Sequence, residues 1–113
     1  MAGDVKRGDI RLYRFPAPDK ERPVLVLTRD SALRFLTYVT VAPITSTIRD
    51  IPTEVVLDEA DGMKKRCAAN LDHVMTIPRA RLGRRVAGLA KVRIDEACRA
   101  LALAVGCDGV GAP

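Results

Sequence analysis

The chain is poor in several residue types on which protein chemistry commonly relies. It has 113 residues, no Trp, two Tyr and two Phe, so aromatics make up only 4%. A nucleic-acid surface built on stacked bases needs several exposed rings, and this chain disfavours one. One His and three Cys (Cys67, Cys98, Cys107), with no C-x-x-C pair, make no recognisable zinc set. An odd cysteine count also argues against a disulfide-stapled secreted domain. Met1 to Asp9 is polar and charged, unlike a signal peptide. No apolar run approaches the roughly 18 residues of a membrane span. A reducing cytoplasm is the expected location. The motifs G-x-S-x-G, G-x-G-x-x-G and the P-loop are all absent. The acids are dispersed, which disfavours a nuclease built on two metal ions held by clustered carboxylates.

What is present points to one compact domain spanning residues 1–113. Apolar residues make up 48% of the chain, enough for a real core. There are 19 Lys plus Arg against 14 Asp plus Glu, a net charge of +5. Between residues 62 and 94 stand nine cations and one acid, Asp72, so this segment carries +8 and the remainder −3. Fourteen of the cations are Arg, whose planar fork suits phosphate.

The pattern predicts strands over Asp9–Phe15, Pro23–Thr28, Leu36–Ala42 (ending at Pro43) and Thr53–Leu57. Asp58–Gly62 reads as a turn. Ala68–Leu71 and Val74–Ile77 read as one strand broken at Asp72. Pro78–Leu82 suits a helical turn and Val86–Leu89 a short strand. Lys91–Val105 is the clearest helix, with Ile94, Ala97, Cys98, Leu101 and Val105 at helical spacing and Gly106 as its stop. The expected class is β-rich α+β: a small curled antiparallel sheet or barrel, with short helices and a C-terminal α-helix.

Three places interrupt the apolar runs. Arg22 stands at the start of a buried strand, so its guanidinium emerges from a rigid edge. A solvated Arg paired with Glu21 fits that position as well. Thr45, Ser46 and Thr47 follow a strand end, where hydroxyls can donate to a phosphate oxygen or simply close a turn. Asp72 and the single histidine, His73, are adjacent. In a strand they would point to opposite faces, so they serve one site only if the strand breaks. This inventory leaves one route to RNA cleavage open. The RNA's own 2′-OH attacks the neighbouring phosphorus while Arg and hydroxyl groups hold and stabilise the phosphate.

Four segments occur in order: KRGDI (6–10), RPVLVL (22–27), APITS (42–46) and NLDH (70–73). With them the chain resembles the MazF/PemK/Kid-type toxins of type II toxin–antitoxin pairs over about residues 6–106, leaving 1–5 and 107–113 as frayed ends. The resemblance implies an SH3-like barrel with added helices, a homodimer, and a sequence-selective endoribonuclease. Such toxins cleave single-stranded RNA without metal or cofactor, through a 2′,3′-cyclic phosphate. A cognate antitoxin lays a flexible acidic C-terminal tail across the site. By resemblance Arg22 and Thr45 are the catalytic residues and Asp72 places or polarises a neighbour. Ser46 and His73 are further candidates, and Lys20, Thr47, Arg66 and Asn70 are expected RNA contacts. The chain departs from many relatives in its short loop 16–21, which has no Gly or His and leaves the cleaved motif and the second proton carrier open. Two other readings remain: a CcdB-like toxin that inhibits DNA gyrase by protein binding, and a binding barrel without activity.

Overall fold

Val24, Leu25 and Val26 are almost wholly excluded from solvent, as a short β-branched run with no polar face demands. They lie at the centre of the computed structural model, which describes residues 4–18 and 20–107. In chain order its elements are β1 (Asp9–Arg14), β2 (Glu21–Val26), α1 (Asp30–Leu33), β3 (Tyr38–Thr45), β4 (Glu54–Leu57), β5 (Cys67–Asn70), β6 (Met75–Pro78), β7 (Arg85–Gly88) and α2 (Lys91–Ala104). Single 3₁₀ turns stand at Glu59–Asp61, Leu71–His73 and Arg79–Arg81. Of the ends expected to fray, residues 1–3 and 108–113 lie outside the described residues.

The strands form one curled antiparallel sheet in the order β4-β5-β3-β2-β1-β7, with β6 also on β3. β5 and β6 pair with successive parts of β3: Ala68 and Ala69 with Thr45 and Ile44, then Met75 to Pro78 with Val41 to Tyr38. They are one strand line broken at Leu71–His73, as the sequence suggests. Across the break, residues 70–74 face only Ala42 and Pro43, so the surplus loops out as a 3₁₀ turn.

Pro43 does not end its strand, contrary to expectation; β3 continues through it to Thr45. Leu27 N donates to Thr40 O, and Thr40 N donates to Thr28 Oγ1, so Thr40's backbone groups face the β2 side. Alternation turns Pro43 to the other edge, opposite the looped-out residues. The missing N–H forfeits nothing there. Helix α1 was not legible in the pattern. Four residues are too few to show a helical period. It is fixed instead by the Asp30 carboxylate, which accepts from Arg7 N, and by burial of Leu33.

Alternation gives the sheet two apolar faces. Ile10, Leu25, Ala42, Ile44, Leu57 and Leu71 fill the inside of the curl, closed by Ala97 and Ala100 of α2. Val24, Val26, Val39, Val41, Ile77 and Leu33 form a second cluster on the other face. The packing stripe of α2 runs through Ile94, Ala97, Ala100, Leu101 and Ala104. Val105, expected on that stripe, lies beyond the last helical residue and is 59% exposed.

The edge strands β4 and β7 do not pair, and the Glu59–Asp61 turn and α2 bridge the gap. Asp58 and Asp61 form a capping box, and Gly62 ends the turn at φ +92°, close against Ala87. Arg93 of α2 donates to Asp61, to Glu96 and to the Val56 carbonyl. Burial alone would lower the Arg93 guanidinium. The hydrogen bond to Asp61 and the charges of Asp61 and Glu96 outweigh that and raise it.

Candidate active site

The hydrogen-bonded ladder between β2 and β3 ends at Val24 opposite Pro43. Beyond that pair β2 stays with β1, Arg22 facing Tyr13, while β3 leaves to join β5, Thr45 facing Ala68. The two strands part, and a groove of about 600 Å³ opens between them. Extending the ladder's register by two residues sets Arg22 across from Thr45, on opposite walls. The fold thus brings together the two residues that the sequence marked first, with Ser46 beside them in the lining.

Arg22 is exposed, and among the described residues its side chain has no hydrogen bond or ion pair, with Glu21 or with any other group. Its guanidinium is free while its backbone is held in the β1–β2 ladder. Thr45 Oγ1 accepts a hydrogen bond from Thr47 N at 3.1 Å. That bond occupies an oxygen lone pair and leaves the hydroxyl proton free to donate. Thr47 itself is exposed and acts here through its backbone N–H; it does not line the groove.

Three further cations, Lys64, Lys65 and Arg84, join Arg22 in the lining, and no carboxylate does. The sequence hid them among the nine cations of the 62–94 segment, and only the turn before β5 and the entry to β7 select them. Lys20 and Arg66, expected as RNA contacts, are exposed but lie outside the lining. Below the cations the floor is apolar: Leu12, Pro23, Ile44, Met63, Cys67 and Val86. Burial, with the nearby charges of Asp61 and Asp58, pushes the Cys67 thiol up, so it stays protonated at neutral pH.

Asp72, His73 and Asn70 form a separate network outside the groove lining. The 3₁₀ turn removes the strand-face conflict between Asp72 and His73. Asn70 Oδ1 accepts from Asp72 N at 3.0 Å, and Asn70 Nδ2 lies 3.2 Å from His73 Nδ1. An amide nitrogen only donates, so in this contact Nδ1 is the acceptor. Thr53 Oγ1 donates to Asp72 Oδ2 at 2.5 Å. The pieces therefore brace the broken strand line against the segment before β4.

A second cavity, about 410 Å³, lies between β4 and α2 and holds none of the sequence-marked residues. Among the described residues no group of three or more His, Cys, Asp or Glu could hold a metal ion. None of their helices is long and apolar enough to cross a membrane.

Residues 6–105 match the family described as PemK-like, MazF-like toxin of type II toxin-antitoxin system. The chain is 40% identical to Endoribonuclease MazF3 of Mycobacterium tuberculosis over 81% of its own length and 89% of the relative's. It is 45% identical to Probable endoribonuclease MazF5 of the same organism, over 76% of its length and 80% of the relative's. The solved structure of Mycobacterium tuberculosis toxin MazF-mt6 superposes with a TM-score of 0.80 at 37% identity, covering 88% of this chain and 98% of that one. A curled antiparallel sheet with a C-terminal helix, and a family match running through nearly every element of it, make this chain a member of the PemK/MazF-like family of type II toxins.

Proposed function

We propose that the chain is the toxin of a type II toxin–antitoxin pair and cleaves single-stranded RNA in the β2–β3 groove. The observation that carries this is the uncommitted Arg22 set across from Thr45 in a groove lined by four cations and no acid. Family membership and the endoribonuclease relatives support it, and they favour it over gyrase inhibition or an inactive barrel.

The chemistry follows from what these groups can do. The 2′-oxygen attacks the adjacent phosphorus and loses its proton. The bond from phosphorus to the 5′-oxygen breaks, and that oxygen takes up a proton. The products are a 2′,3′-cyclic phosphate and a 5′-hydroxyl. Negative charge grows on the non-bridging oxygens as the fifth bond forms. The Arg22 guanidinium stabilises that charge, and the Thr45 hydroxyl donates to one of those oxygens. Ser46 offers a second hydroxyl. Because the nucleophile is internal to the RNA, no metal-bound water is needed. A guanidinium only donates, so the part in proton transfer proposed for Arg22 is donation toward the leaving 5′-oxygen. Asn70 contacts His73 at Nδ1, but both stand outside the groove lining, so the groove geometry does not favour His73 as the second proton carrier.

The partners follow from the same surface. An acidic, flexible antitoxin tail complements a groove whose charges are all positive. The protein acts as a homodimer in the cytoplasm, where its RNA and antitoxin are.

The test is cleavage of a long mixed-sequence RNA in EDTA. The protein should cut, leaving cyclic phosphate ends. Arg22→Ala should cut about 10²–10³-fold more slowly, the usual loss for one charge-stabilising donor. Wild-type activity in Arg22→Ala, or products ending in 3′-hydroxyl, would overturn the mechanism.

A further inference from the structure

We propose that the apolar floor of the groove seats the base of a nucleotide flanking the cut phosphate, and that Met63 is a specificity-determining contact for that base. The proposal rests on the ribonuclease reading above and adds how the site chooses where to cut.

Phosphate contacts are the same for every sequence. Lys64, Lys65 and Arg84 can hold the strand but cannot select a base. Selection needs contact with a base edge or face. The lining includes no aromatic ring, so a stacking sandwich is unavailable. What the groove offers instead is an apolar floor of Leu12, Pro23, Ile44, Met63 and Val86 beneath the cationic rim. Ile44 and Met63 belong to the core inside the curl, with Val86 packed against it, and where the strands part the edge of that core comes up to the groove. The groove's volume of about 600 Å³ also lies in the range of sites that enclose a small organic group.

Met63 is held where a specificity contact should be. It leaves a turn fixed by the Asp58–Asp61 capping box, and Met63 N donates back to Asp58 O at 3.2 Å. Gly62, at φ +92°, turns the chain so that Met63 enters the floor while Lys64 and Lys65 reach the groove. Arg93 ties the turn to α2 through Asp61. A rigid mount is what a selective contact requires. The unbranched thioether at its end is polarisable and packs well against flat rings.

Cut sites should be mapped by sequencing the new 5′ ends of a long mixed-sequence RNA. The samples are the wild type, Met63→Gln, Met63→Leu and Val86→Thr, with circular dichroism confirming that each is folded. A polar amide in the floor should change the preference at one base position beside the cut by about tenfold or more, while the best site for each variant is still cut. Met63→Leu should give a smaller change at the same position, and it decides the matter if the Gln variant does not fold. Unchanged base preferences in the folded Met63 variants and in Val86→Thr would overturn the proposal. So would a uniform fall in cutting at every site, which is what a purely structural Met63 would give. Failure of the ribonuclease reading shows in different samples: a wild type that leaves the RNA intact, or an Arg22→Ala protein that cuts at the wild-type rate.

Discussion

On the proposed mechanism Thr45 should contribute less than Arg22. Its hydroxyl oxygen already accepts from Thr47 N, so removing it loses both a donor to the phosphate and a brace for the strand end. Thr45→Val should lower kcat by about 10–100-fold and leave RNA affinity almost unchanged, as measured by single-turnover cleavage beside filter binding. Cys67 gives an independent check on the groove floor. Its thiol is pushed up by burial and by two nearby carboxylates, and only the thiolate alkylates. At pH 7 iodoacetamide should label the exposed Cys107 first and Cys67 slowly. The Cys67 rate should rise as the pH climbs past the usual thiol range, and peptide mass spectrometry reads both.

At the scale of elements, two contacts hold α2 against the rest of the fold. Gly8 lies at φ +91°, and a Cβ there would collide with Ile94 of α2. Gly8→Ala combines a left-handed backbone with a steric clash, so it should destabilise the fold by about 2–4 kcal/mol, read as a lower urea midpoint. Arg93 joins α2 to the Glu59–Asp61 turn and to β4. Arg93→Ala leaves Asp61 largely buried without its cation and should cost about 2–3 kcal/mol. Much of the architecture was legible because apolar runs and punctuating Gly and Pro residues are local signals. The broken strand at Asp72 and the helix from Lys91 were both readable in that way. Pro43 misled because its tolerance depends on which edge it faces, a property of the assembled sheet. The groove was half legible. Arg22 and Thr45 stand out by motif, but Lys64, Lys65 and Arg84 are chosen from nine cations only by where the strands part.

Over the whole molecule, the net charge of +5 matters less than its placement. Each phosphate neutralised on single-stranded RNA adds about 0.7 to the salt dependence of binding. Replacing both Lys64 and Lys65 with Gln should therefore flatten the plot of log affinity against log salt by about 1.4. The matching double change at Lys20 and Arg66, which lie outside the groove lining, should flatten it less. A static light-scattering mass of two chains at micromolar concentration would establish the homodimer. The parting of β2 from β3 has a mechanical consequence. Arg22 and Thr45 stand on two strands joined beside the groove by the buried ladder from Val24 to Val26, which sets how far apart the two side chains are held. A shift of about 1 Å between reacting groups can cost about 10²-fold in rate. On the proposed mechanism an inhibitor therefore need not touch either side chain: a wedge that spreads the two strands slightly would disarm the pair.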